Sequence, residues 1–128
     1  MTSQTALRSR YMDNQVSTVP PAQLVLMLYD RLVKDLEDAE AAIGGRAIAT
    51  ASDKLVHAQD IVMELHSGLN PDAWSGGPGL ASLYLWLHQE MITANVRKDG
   101  AQVKRLRGMI EPLRDAWHEA ARLNAGGA

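Results

Sequence analysis

The chain has 128 residues, no cysteine, 13 basic against 15 acidic side chains and a net charge of −2. It therefore cannot hold a disulfide framework or a thiolate metal site, and it has no global attraction for phosphate backbones or anionic lipid. One domain of this length hides roughly two-thirds of the surface its unfolded form exposes, enough for a core without staples.

The first nineteen residues show no sustained hydrophobic period, and they lack the continuous apolar stretch of a secretory signal. They are expected to form an arm, mobile or short-helical around Leu7 to Met12. Proline is tolerated in a first helical turn, so Pro20 and Pro21 mark the start of structure. From there Leu24, Leu28, Leu32, Leu36, Ala39 and Ile43 recur at intervals of three or four until Gly44-Gly45. A second helix carries Ile48, Ala51, Leu55, Ala58, Val62, Leu65 and Leu69 in strict heptad spacing and closes at Gly68. Residues 70–79, rich in Gly and Pro, form the longest connection. The third helix runs through Leu80, Leu83, Leu87, Met91 and Ala94 and stops near Asp99-Gly100. The fourth carries Val103, Leu106, Ile110, Leu113, Trp117 and Ala120, with Pro112 expected to bend it. With no phenylalanine and abundant Ala and Leu, the composition also favours helices over sheets. The expected fold is all-α, an antiparallel up-down-up-down four-helix bundle over residues 20–124, with the arm at 1–19 and a flexible tail at 125–128.

Several helices carry a second apolar stripe beyond the one a bundle core needs: Val25, Tyr29 and Val33 on the first, Val56 and Met63 on the second, Leu85, Trp86, Ile92 and Val96 on the third, and Met109, Ala116 and Leu123 on the fourth. Some of these widen the core. As a set they point to a hydrophobic groove between helices, because soluble monomers seldom leave connected apolar patches without a use. Leu7, Tyr11, Met12, Val16 and Val19 of the arm are placed to cover such a groove.

Signals for chemistry are missing. No glutamate has a histidine three residues later, against a di-metal site. No C-x-x-C-H or phosphate-cradling loop occurs, so no catalytic residue, cofactor or metal is expected. His57, His66, His88 and His118 read as surface or boundary residues, and Asp35, Glu37, Asp38 and Glu40 as a solvated face. Arg97, Lys98, Lys104, Arg105 and Arg107 read as a solubilising cluster, with an acidic protein surface as the alternative.

The order of elements and local residues resembles the flagellin-specific export chaperones, the FliS family. The resemblance is carried by Pro21-Ala22-Gln23-Leu24 leading into Met27-Leu28-Tyr29-Asp30, by Gly68-Leu69-Asn70, Gly76-Gly77 and Leu83-Tyr84, by Ala94-Asn95 with Arg97 and Asp99, and by Leu113-Arg114 with Trp117. It implies a non-enzymatic cytoplasmic chaperone that binds the disordered C-terminal segment of flagellin in outer hydrophobic grooves, displacing its own arm. It also implies delivery to the cytoplasmic domain of the flagellar export gate, with no nucleic acid, no membrane insertion, and a homodimer left open for the free protein. Carried over by position, Tyr11 and Val16 are arm residues, while Tyr29, Val33, Met63, Tyr84, Ile92 and Asn95 are groove or groove-support residues. For Tyr29 and Tyr84 the alternative is a core aromatic whose hydroxyl reaches the rim, for Asn95 a helix-end bridge, and Trp117 is taken as core. The competing function is a generic helical adaptor or phosphotransfer bundle, with His57 as its candidate histidine.

Overall fold

The computed structural model describes residues 21–127, and the arm with Tyr11 and Val16 lies outside them. Four helices follow in order, α1 (Pro21–Gly44), α2 (Ile48–Gly68), α3 (Gly77–Arg97) and α4 (Gly100–Gly127). The last continues through Gly127, so the segment expected as a tail from 125 is helical up to that residue. Pro112 sits within α4 without ending it. Pro112 and Gly108, whose carbonyl loses the usual i+4 donor, are both exposed, so water can serve that acceptor.

Polar pairs between helices report the topology. His118 Nε2 meets Asp30 Oδ1 at 2.8 Å and Arg107 Nη2 meets Glu40 Oε1 at 2.9 Å. A step of ten residues along α1 thus matches a step of eleven backwards along α4, and the two run antiparallel. On the diagonal, Tyr29 of α1 and Tyr84 of α3 share a hydroxyl–hydroxyl bond of 2.6 Å near the starts of both helices, which are therefore parallel. This is the up-down-up-down bundle. α1 packs closely on α2 and α4 and α2 on α3, whereas α3 and α4 touch over a much shorter stretch.

The connections are short because the chain reverses tightly. Beyond α1, Arg46 takes a left-handed φ of 59° while Ala47 N–H reaches back to the Ala42 carbonyl at 2.8 Å. Lys98 takes a φ of 50° at the end of α3, and Asp99 N–H reaches the Ala94 carbonyl at 3.1 Å. The Asp99 carboxylate then accepts the Gln102 N–H at 3.1 Å, capping the first turn of α4.

The core is built from the expected heptad residues, among them Leu32, Leu36, Leu55, Ala58, Val62, Leu87, Met91, Val103, Leu106 and Ile110, all buried. Asp35 corrects the sequence reading. It is fully buried on the α1–α2 seam, where it bonds His57 Nδ1 and accepts from Arg31 Nε at 3.1 Å. Only Glu37 of that group is exposed. Asp38 and Glu40 are half-buried in ion pairs with Lys34 and Lys54 and with Arg107.

The tyrosine pair yields a stability prediction. Both hydroxyls are buried, and each bonds the other, so Y84F leaves the Tyr29 hydroxyl without that partner and is expected to cost about 1–3 kcal/mol. The double variant Y29F/Y84F removes both polar groups and is expected to come out close to wild type. Burial pushes both phenols above their ordinary value of 10.0. Their contribution is thus complete below pH 10 and declines as the pH rises beyond it, where the unfolded chain releases the protons first. Urea titrations of the wild type and the two variants from neutral to alkaline pH measure both effects. An equal loss in the single and double variants would contradict the account.

Candidate helix-binding grooves

Two apolar channels lie on the outside of the bundle. The first follows the α2–α3 seam. Its register is fixed by Asn95 Nδ2, which reaches Ser52 Oγ at 3.4 Å. One heptad along from that contact, Gln59 on α2 comes beside His88 on α3. Val56 and Met63 line one wall and Leu85 and Ile92 the other, each pair separated by a heptad and so aligned on its helix. Val56 is 46% exposed and Leu85 49%. Met63 and Ile92 are half-buried. His88 and Asp60 sit in this wall, and burial biases both toward neutrality. The histidine is lowered by desolvation, opposed by the nearby Asp60 carboxylate, and Asp60 is raised. Both shifts mark a wall that is partly withdrawn from water.

The second channel follows the α3–α4 seam, whose looseness leaves an apolar cleft of about 470 Å³ lined by Trp74, Leu80, Leu113, Ala116, Trp117 and Ala120. Trp86 and Met109, both nearly half exposed, extend the apolar surface along the same two helices, and Leu123 lies beyond the cleft on α4. Trp117 serves two roles. Its ring centroid is 6.4 Å from that of Tyr29, at an interplanar angle of 35°, and the residue also lines the cleft.

The loop that carries Trp74 is constructed tightly. Asn70 Oδ1 accepts the Asp72 N–H at 3.1 Å, the Asn70 carbonyl accepts the Ala73 N–H at 3.1 Å, and the Trp74 carbonyl accepts the Gly77 N–H at 3.1 Å. A Cβ on Gly77 would lie 2.2 Å from the Pro71 carbonyl oxygen, and one on Gly76 would lie 2.1 Å from the Trp74 ring. The glycine pair thus lets the chain fold on itself and seats the indole against bare backbone. Trp74 was not among the residues the sequence marked for the site. The signal was a lone large aromatic beside two glycines in a connection that otherwise has no reason to hold one.

The expected site residues divide. Met63, Ile92 and Asn95 come together on the α2–α3 seam. Tyr29, Val33 and Tyr84 are only 1%, 2% and 3% exposed, so in the free protein they lie in the interior, in a position to support the surface from behind, and the two hydroxyls bond each other and do not reach the rim. Asn95 also holds Lys98 Nζ through its own carbonyl and side-chain oxygens, at 2.7 and 2.8 Å, which is the helix-end role. His57 is engaged by buried Asp35, so nothing marks it as a free phosphoacceptor. Among the described residues no group of His, Cys, Asp or Glu could hold a metal ion, and no helix is long and apolar enough to cross a membrane.

Comparison with known proteins agrees with this architecture. Residues 3–124 match the family model of the flagellar protein FliS. The flagellar secretion chaperone FliS of Bacillus subtilis (strain 168) is 29% identical over 110 residues, covering 86% of this chain and 82% of that protein. A periplasmic trehalase of Salmonella newport (strain SL254) is 37% identical over 73 residues, but these are only 13% of the enzyme. A crystal structure of a bacterial flagellar chaperone superposes with a TM-score of 0.73 at 22% identity, covering 92% of this chain and 97% of that one, a likeness of fold. With the family pattern running through almost its whole length, this chain belongs to the FliS family of flagellar proteins.

Proposed function

We propose that the protein is a cytoplasmic flagellar secretion chaperone whose client is the disordered C-terminal segment of flagellin, bound as helices in the α2–α3 and α3–α4 channels. The observation that carries this reading is the pair of external apolar channels. Val56, Leu85, Trp86 and Met109 are all more than 40% exposed on a bundle whose core is already complete without them. An amphipathic helix laid into such a channel buries its own apolar face against i, i+3, i+4 and i+7 positions, and the half-exposed methionines adapt to varied client side chains. A segment that folds as it binds spends a few kcal/mol on ordering, which keeps the complex releasable for export. Covering the client's apolar helices also keeps them from packing prematurely into filament, and the loaded complex is then handed to the export gate.

Calorimetric titration with flagellin, intact and lacking its last ~40 residues, tests this, since the proposed interface is of the coupled-folding kind. Binding by the intact form alone supports the reading. Equal binding by both, or by neither, removes it.

The arm extends the proposal. α1 and α4 are antiparallel, so Pro21 lies by the far end of α4, within reach of the cleft around Trp117. Residues 1–19 carry the apolar side chains to cover it, Tyr11 and Val16 among them. Deleting them is expected to raise client affinity several-fold or to promote a homodimer of the free protein, both read by calorimetry and sedimentation. An unchanged binding curve with an unchanged sedimentation profile argues against masking.

A further inference from the structure

We infer that the end of the bundle holding the α1–α2 and α3–α4 turns is a second docking surface, separate from the two channels, for an acidic protein segment with apolar side chains among its carboxylates. The distribution of ion pairs carries this. Eleven lysines and arginines fall among the described residues. Six of them, Arg31, Lys34, Lys54, Arg107, Arg114 and Arg122, each sit within 4 Å of a carboxylate. The other five, Arg46, Arg97, Lys98, Lys104 and Arg105, make no ion pair with a described residue, and all five belong to this one end. Arg46 is in the first turn, Arg97 and Lys98 close α3, and Lys104 and Arg105 occupy the second turn of α4. The two turns are side by side, since a Cβ on Gly100 would touch Ile43 Cγ2 at 3.5 Å. Asp99 is spent on capping α4, and Asp53, a turn into α2, is the nearest other exposed carboxylate in sequence.

Local structure explains only part of this charge. Arg46 and Lys98 follow helix C-termini, where a cation is favourable, and Lys98 Nζ bonds carbonyl oxygens there. Lys104 and Arg105 are near the positive end of the α4 dipole and gain nothing from it. The same end displays Val96, 80% exposed, and Ile48, 49% exposed. The Asn95–Ser52 bond brings them near each other, because Val96 follows Asn95 directly and Ile48 lies one turn before Ser52. Unpaired cations around an apolar centre fit a segment mixing Glu or Asp with Leu or Ile. Charge gives such a contact its on-rate and register, and the apolar centre holds it. A duplex would use the cations but leave Val96 and Ile48 without a role, and an anionic lipid layer is opposed by the chain's net charge of −2.

The test is fluorescence anisotropy with a labelled short peptide of repeating Glu-Glu-Leu, alongside polyglutamate, a short DNA duplex and phosphatidylglycerol vesicles. The Glu-Glu-Leu peptide is expected to bind tightest and to weaken with added salt. K104E/R105E should lower its affinity about tenfold, and V96S/I48S several-fold. Thermal melts check that each variant folds, and R97E supplies an independent loss should the double charge reversal melt. K104E/R105E should bind the flagellin segment as wild type does, which separates this surface from the channels. Unchanged peptide binding in both charge variants, equal binding of polyglutamate, or equal or tighter binding of DNA or vesicles would overturn the assignment.

Discussion

Replacing Val56 and Leu85 together by aspartate is expected to weaken binding of the flagellin C-terminal segment by about a hundredfold or more, with the melting temperature nearly unchanged. The two residues lie on opposite walls of the α2–α3 channel, nearer its two ends, and are 46% and 49% exposed, so in the free protein the new carboxylates remain in water. Folding therefore loses little. A client helix seated in the channel would cover both. Each carboxylate must then be desolvated without a partner, at several kcal/mol apiece, and each 1.4 kcal/mol is a factor of ten in affinity. The neighbouring wall makes the penalty worse, because Asp60 already lies there under desolvation and two further negative charges would repel it. Calorimetry on V56D/L85D reads the effect, and a thermal melt confirms the fold. Wild-type affinity in a folded variant would remove the α2–α3 channel from the client site.

The second large effect is on stability and has an uneven sign. H57A is expected to destabilise the bundle by about 3 kcal/mol, while D35L is expected to be nearly neutral. Asp35 is fully buried, whereas the His57 side chain is 36% exposed and that of Arg31 49%. Removing the histidine strands an interior carboxylate with Arg31 as its remaining partner. Removing the aspartate leaves two side chains that can both turn to water, and leucine fills the space between α1 and α2. A loss of that size in a domain of this length lowers the melting temperature by roughly 10 °C. Chemical denaturation of both variants at neutral pH measures it. A larger loss in D35L than in H57A would show that the pair contributes more to stability than the desolvation of Asp35 costs.

The heptads, the glycine stops and the tight connections made the four helices legible in the sequence, because a 3.6-residue period over five or six turns has few other solutions. Which second-stripe residues stay outside was not legible. Val33 and Val56 look alike in the sequence, yet α1 is clasped on both flanks by α2 and α4 and buries a wide arc that includes Val33. Val56 lies on the outer edge of its seam and stays half in water. α3 has one close neighbour and one distant one, so Leu85, Trp86 and Val96 remain exposed where the same pattern on α1 would be covered. Asp35 was misread because charge in a helix is usually solvated, and its partner His57 is on another helix, 22 residues away. The tyrosine pair joins positions 55 apart, and the cleft needs Trp74 from a loop beside α4, so neither follows from local spacing.

The claim that the outer channels receive a client's helices is tested most directly by hydrogen exchange on the protein alone and bound to flagellin. The account predicts new protection confined to the client's C-terminal segment and, on the chaperone, to residues 56–63, 83–95 and 109–120 along the two channels. Protection that leaves the client segment exchanging freely, or that appears only away from those stretches, would contradict it.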